Sequence, residues 1–302
     1  MAMSYREVEW LQKYIINVHQ MHKLQSVVLE GLKNVKVLFW FLHRLPNLKR
    51  LILRFCQTRR ICGPVTDISR EKIGVVMQLK ELELTDMWSL EEIGFEHDML
   101  LRRVQHLIIE SCTKLKTLAS SSVSFRRLTY LEVVTCMMKN LMTYSTAKTL
   151  DQLTTMKVSS CPMIVSIVAK NEEENVQEIE FKQLRSLELF ALPNLTSFMT
   201  VDKCVLKFSL LENLIVSECP QMTKLSEVLS TPDLQKVHVV TGENDKWYWE
   251  GDLNATLQKY FPYQVLTRSF ILLERAVNML LGWIAWRMLM GFKPVWLVSP
   301  SW

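Results

Sequence analysis

Three apolar residues recur at a 1-4-6 spacing nine times along this 302-residue chain. The triplets are Leu24/Val27/Leu29, Leu48/Leu51/Leu53, Leu79/Leu82/Leu84, Val104/Leu107/Ile109, Leu128/Leu131/Val133, Leu153/Met156/Val158, Leu184/Leu187/Leu189, Leu211/Leu214/Val216 and Leu234/Val237/Val239. The steps between anchors are 24, 31, 25, 24, 25, 31, 27 and 23 residues. Alternation inside a triplet is strand-like: Leu82 and Leu84 point one way, Glu81, Glu83 and Thr85 the other. One such strand cannot bury its apolar face alone, so each needs the next repeat beside it.

An L-x-x-L-x-L core with a period in the twenties is the leucine-rich-repeat signature. It predicts an α/β repeat solenoid. This is a horseshoe with a parallel β-sheet on its concave face and irregular or short-helical convex segments. Residues 24–242 are expected to form the solenoid of about nine repeats. Residues 1–23 read as a degraded N-terminal repeat or truncated edge, with Leu11, Tyr14 and Ile16 as a weak match. Residues 243–262 break the pattern: Trp247 and Trp249 alternate, and Asp252 is placed to cap a helix through Leu257 and Phe261. A solenoid needs an atypical last unit over its open edge, and this stretch is expected to be that cap.

Cys56, Met87, Cys112, Cys136, Cys161, Leu192 and Cys219 occupy one repeat position, three residues after the last member of a triplet. Asn or Cys is usual there. These cysteines are expected to be buried thiols that pack as small hydrophobes and hydrogen-bond the turn. No C-x-x-C and no Cys/His metal spacing occurs. Cys112, Cys136 and Cys161 should stack in successive coils, an arrangement suited to a reducing compartment, so a cytoplasmic location is expected.

The apolar fraction of 49% supports a large core, and Gly (8) and Pro (9) are scarce. Net charge is +5. Arg268, Arg275, Arg287 and Lys293 against Glu274 place +3 of it in residues 263–302, leaving +2 for residues 1–262. That is too little field to expect nucleic acid as a partner. The first residues are charged, with no apolar run before a small-residue cleavage site, so no secretion signal is expected, and the abrupt start reads as that of a fragment. Two long steps mark insertions. One holds Arg59 to Pro64, and the other is the glutamate-rich run 171–180, expected to be a solvated loop.

The phrases Leu-Glu-Asn-Leu-Ile-Val-Ser-Glu-Cys-Pro (211–220), Gln-Leu-Arg-Ser-Leu-Glu-Leu-Phe-Ala-Leu-Pro-Asn-Leu-Thr-Ser-Phe (183–198), Leu-Thr-Thr-Met-Lys-Val-Ser-Ser-Cys-Pro-Met-Ile-Val (153–165) and Trp-Glu-Gly-Asp-Leu-Asn-Ala-Thr (249–256) carry a resemblance. With them, roughly Leu24 to Phe261 resembles the C-terminal leucine-rich-repeat region of plant coiled-coil nucleotide-binding (NLR-type) disease resistance proteins. The resemblance implies a module that senses a pathogen effector or a guarded host protein, or restrains a nucleotide-binding switch domain. The 302 residues hold no Gly-x-x-x-x-Gly-Lys-[Ser/Thr] phosphate loop, so nucleotide binding is not carried over.

The tail matches nothing in that family. Its segment 270–290 is strongly apolar, but its longest charge-free run is Ala276 to Trp286. Spanning a bilayer takes about 20 residues. Three readings stand for 263–302: a helix packed on the cap, an interfacial membrane helix, or a read-through without a role. No catalytic elbow and no helical His-Glu-x-x-His appears, so no enzyme activity, cofactor or metal is expected. The sequons at Asn194 and Asn254 would accept glycans only in a secreted protein, and Asn194, in a turn after a strand, is assigned to turn chemistry.

The candidate site is therefore the concave face. Its outward residues are Glu81, Glu83, His106, Ile108, Glu110, Tyr130, Glu132, Lys157, Glu188, Phe190, Ile215, Lys236 and His238, with aromatic and apolar groups among charges as in binding hot spots. Glu81, Glu83, Glu110 and Glu132 make its middle acidic, and a basic protein surface is the expected partner. The alternative is a generic repeat scaffold such as a ubiquitin-ligase substrate adaptor.

Overall fold

A computed structural model describes residues 2–3, 23–32, 45–61, 78–93, 103–118, 124–169, 178–199, 204–222, 224–234, 237–241 and 244–260. Each of the nine sequence triplets carries one strand of a single sheet. In chain order these are β2 (Ser26–Glu30), β3 (Arg50–Arg54), β4 (Glu81–Thr85), β5 (His106–Glu110), β6 (Tyr130–Val134), β8 (Thr155–Ser159), β11 (Ser186–Phe190), β14 (Asn213–Ser217) and β16 (Val237–Thr241). A short β1 (Ala2–Met3) lies parallel to β2 at one edge, and β17 (Asn244–Tyr248) lies antiparallel to β16 at the other. The result is an eleven-stranded sheet in chain order, parallel except for its last pair.

Register follows the triplets without a slip. Leu82 pairs with Leu107, Leu131 with Met156 and Leu187 with Leu214. The inward residues of β3 to β14 are almost fully buried, Leu51, Leu53, Leu107 and Val216 among them. A slip of one residue would turn this whole apolar row to water, which is why the pattern holds the register.

One backbone device ends each strand of this sheet from β2 to β14. Gly31, Phe55, Asp86, Ser111, Thr135, Ser160, Ala191 and Glu218 all have φ between 52° and 69°. Seven of the eight are not glycine. In an L-residue this conformation costs roughly 1 kcal/mol. The gain is a hydrogen bond to the next coil: Asp86 N–H donates to Glu110 O at 3.0 Å and Ser111 N–H to Val134 O at 3.0 Å.

The cysteine column follows. Cys56, Cys112, Cys136, Cys161 and Cys219 are buried and form no disulfide. Each Sγ donates to the carbonyl two residues back, from 3.2 Å for Cys161 to 3.5 Å for Cys112. Cys56, Cys112 and Cys219 also reach the preceding coil at Leu29 O, Leu84 O and Leu189 O.

The return segments build two further parallel sheets, which the sequence reading did not foresee. One joins β7 (Asn140–Thr143), β9 (Ser166–Ala169) and β12 (Ser197–Met199), and the other joins β10 (Glu178–Glu180), β13 (Val205–Lys207) and β15 (Val228–Ser230). The end of the glutamate-rich run is thus a strand rather than a loop, and residues 171–177 lie outside the described residues. In the core, Phe181 stacks on Phe208 at 5.5 Å, and Phe198 of β12 meets both edge-on. Helix is sparse: α1 (Tyr144–Ala147) and α2 (Leu253–Tyr260).

At the N-terminal edge Ala2–Met3 lies beside β2, and the Leu11/Tyr14/Ile16 triplet lies outside the described residues. At the C-terminal end Asp252 Oδ1 accepts from Ala255 N at 2.9 Å, starting α2 as its sequence position suggests. The two sequon asparagines are engaged. Asn194 Nδ2 donates to Pro162 O, and Asn254 bridges Leu225 N and Ser226 O. No helix among the described residues is long and apolar enough to cross a membrane, and residues 263–302 lie outside them.

Candidate protein-binding face

Strand alternation turns three residues of each coil outward, and in-register pairing lines them into columns. Glu83, Ile108, Glu132, Lys157, Glu188, Ile215 and His238 follow one another down the middle. Glu81, His106 and Tyr130 lie in the column before it, and Glu110 and Phe190 in the column after. The sheet therefore brings twelve of the sequence-assigned residues onto one face; Lys236 lies outside the described residues. His106 and Glu110 are exposed, and the other ten are half-buried. Ser217, also outward by alternation, is fully buried and offers nothing to a partner.

The same offsets applied to Leu48/Leu51/Leu53 place Arg50, Ile52 and Arg54 on this face, beside β4. These residues are missing from the sequence assignment, and they change its electrostatics. Arg50 Nε lies 3.4 Å from Glu81, and its Nη2 lies 3.2 Å from Glu83. Arg54 reaches Glu83 at 3.3 Å and Glu30 at 3.9 Å. Farther along, Lys157 pairs with Glu188 at 3.1 Å. The expected acidic middle is thus partly neutralised from within, because each long cation on one coil reaches the carboxylates of the next.

Carboxylates remain at the far end of these pairs. Tyr130 OH donates to Glu132 at 2.6 Å, and His106 meets the Tyr130 ring edge-on at 5.8 Å. Burial, then that carboxylate, pushes the Tyr130 hydroxyl well above its usual range. Glu110 makes no ion pair among the described residues. Burial raises its pKa, and so do the charges of Asp86, Glu83 and Glu132. Arg50, Glu81, Glu83, His106, Ile108 and Tyr130 line a shallow recess at the centre of this region. Among the described residues no group of His, Cys, Asp and Glu is arranged to hold a metal ion.

Residues 2–137 and 118–241 match the family described as plant disease resistance protein RPS2-like, leucine-rich repeats. The chain belongs to that family. The RPS2-like match takes in every coil from β2 to β16 and stops before β17 and α2. No curated protein matches the chain. Among solved structures this RPS2-like chain is similar to one described as the crystal structure of a TLR13-ssRNA13 complex, at 15% identity and a TM-score of 0.38. That alignment covers 76% of this chain and 38% of the other, so the chain spans well under half of that protein's length.

Proposed function

We propose that the concave face is a protein-recognition surface of plant immunity. It senses a pathogen effector or a guarded host protein, or restrains a nucleotide-binding switch domain that these 302 residues do not contain. The observation that carries the reading is the alternation of anchors and charges across one rigid sheet: Ile108, Tyr130, Phe190 and Ile215 lie half-buried among Glu83, Glu132, Lys157 and Glu188. Aromatic and branched anchors of this kind supply binding energy, and the ion pairs around them set orientation and exclude wrong partners. Family membership supports the reading. A reducing, cytoplasmic setting suits the free buried thiols.

A nucleotide-binding domain from a family member, supplied in trans, tests it by size-exclusion co-elution. Phe190→Asp and Ile215→Asp should abolish co-elution, and Met163→Asp, an exposed site off this face, should leave it intact. Equal behaviour of all three variants would remove support for the concave face.

A further inference from the structure

At the edge where β3, β4 and β5 end, an aromatic pair stands beside two carboxylates. Phe55 is 37% exposed, high for a phenylalanine. Its φ of 54° comes from the turn that ends β3. Trp88 meets its ring edge-on at 6.0 Å. Asp86, which also hydrogen-bonds the Trp88 side chain, donates its backbone N–H to Glu110 O at 3.0 Å. Neither Asp86 nor Glu110 forms an ion pair among the described residues. The charge of Arg54 is felt by both carboxylates, but its guanidinium is held by Glu83 and Glu30.

We propose that Phe55, Trp88, Asp86 and Glu110 form a seat for an arginine side chain presented by a protein partner. The proposal rests on the reading of this chain as a protein-recognition module and names the chemistry that one end of it takes. Charge complementarity selects a cation, since two carboxylates on neighbouring coils repel each other until one enters. The aromatic pair selects guanidinium over ammonium. A planar, weakly hydrated cation both stacks on aromatic rings and donates from its fork to two carboxylates, whereas an ammonium keeps its water. Burial raises Glu110 and Asp86, the charges around Glu110 raise it further, and an incoming guanidinium would relieve that repulsion.

Fluorescein-labelled hexa-arginine, hexa-lysine and hexa-glutamate peptides, titrated by anisotropy into the full chain, test the seat. Hexa-arginine should bind more tightly than hexa-lysine, and hexa-glutamate should not bind. Asp86→Asn and Glu110→Gln should each weaken hexa-arginine by about tenfold. Phe55→Ala and Trp88→Phe should reduce the preference for arginine over lysine, with far-UV circular dichroism confirming the fold. Glu212→Gln, an exposed acid paired with Arg185 on another coil, should bind as the parent does. Unchanged binding by Asp86→Asn and Glu110→Gln, or an equal loss in Glu212→Gln, overturns the seat. That failure is distinguishable from failure of the concave-face reading, which is judged on Phe190→Asp and Ile215→Asp with a folded partner.

Discussion

The backbone N–H of Cys136 donates to Sγ of Cys161 on the next coil at 3.3 Å. The two thiols thus serve as parts of the hydrogen-bonding frame, each also donating to its own strand end. The position is dry and full, with both residues at 0% exposure. Cys136→Lys should therefore disrupt the coils on either side, because a buried ammonium has no counter-charge in the column. The expected loss is several kcal/mol in urea denaturation, against about 1 kcal/mol for Cys136→Ala. A Cys136→Lys chain that melted with the parent would show that the repeat register is wrong.

The thiols also set an alkaline limit on stability. Burial pushes Cys56 from 9.0 to about 11, and Cys112 and Cys219 to about 12. Between pH 9 and those values the native chain keeps protons that the unfolded chain loses, so stability falls as pH rises. Each such thiol contributes a slope of about 1.4 kcal/mol per pH unit inside that window. Urea midpoints measured from pH 8 upward should decline, and Cys112→Ala should flatten the decline. In the native state near pH 8, Cys112 and Cys219 should react with a thiol reagent only after unfolding.

Glu110 should be a residue that costs stability. Its folded pKa is raised by burial and by its acidic neighbours, so the native state binds the extra proton. Stability from this group is present at acid pH and declines as pH rises through the raised value. Glu110→Gln should accordingly raise the melting temperature at pH 7 and remove part of that slope. Because Glu110 is exposed, solvent screens the repulsion and the gain should be only a few tenths of a kcal/mol. A destabilised Glu110→Gln would mean that the carboxylate is paired after all.

Glu83 should behave in the opposite way. It is held by both Arg50 and Arg54, so charge reversal there breaks two contacts and places three cations side by side. Glu83→Lys should lower stability by about 1–2 kcal/mol, with part of the effect recovered in Arg54→Glu/Glu83→Lys. A double-mutant cycle read by thermal denaturation checks this, and additivity of the two changes would show that the pair is not coupled.

Helix α2 depends on the residue just before it. Asp252→Ala should cost about 1 kcal/mol by orphaning the Ala255 amide. Hydrogen exchange should show the loss concentrated in residues 253–260 and leave β4 to β8 protected, since a solenoid passes instability mainly to its neighbours.

The strand ladder is legible in the sequence because its signal is redundant. Every coil repeats the same three apolar offsets, and pairing forces each outward residue into the column of the one before. The acidic character of the face is not legible from Glu81, Glu83, Glu110 and Glu132 alone. Arg50 and Arg54 decide it, and they become visible only when the columns are carried one coil toward the N-terminus. The two smaller sheets are hidden for another reason. The strands β7, β9 and β12 begin 12, 13 and 13 residues after Leu128, Leu153 and Leu184 but hold only three or four residues each, whereas β10, β13 and β15 begin 25, 21 and 17 residues after Leu153, Leu184 and Leu211 and share no fixed offset. The edge strand at Ala2–Met3 is only two residues long, too short to carry any period.

The reversal at β17 fixes where this molecule can grow. A parallel ladder presents the same edge after every coil, so a further repeat, or the first coil of a second molecule, could be laid on it indefinitely. Asn244–Tyr248 runs against that direction, and Val237 to Thr241 already have their outer edge taken by it. A duplicated repeat can enter between existing coils, whereas one laid directly after β16 must first displace β17.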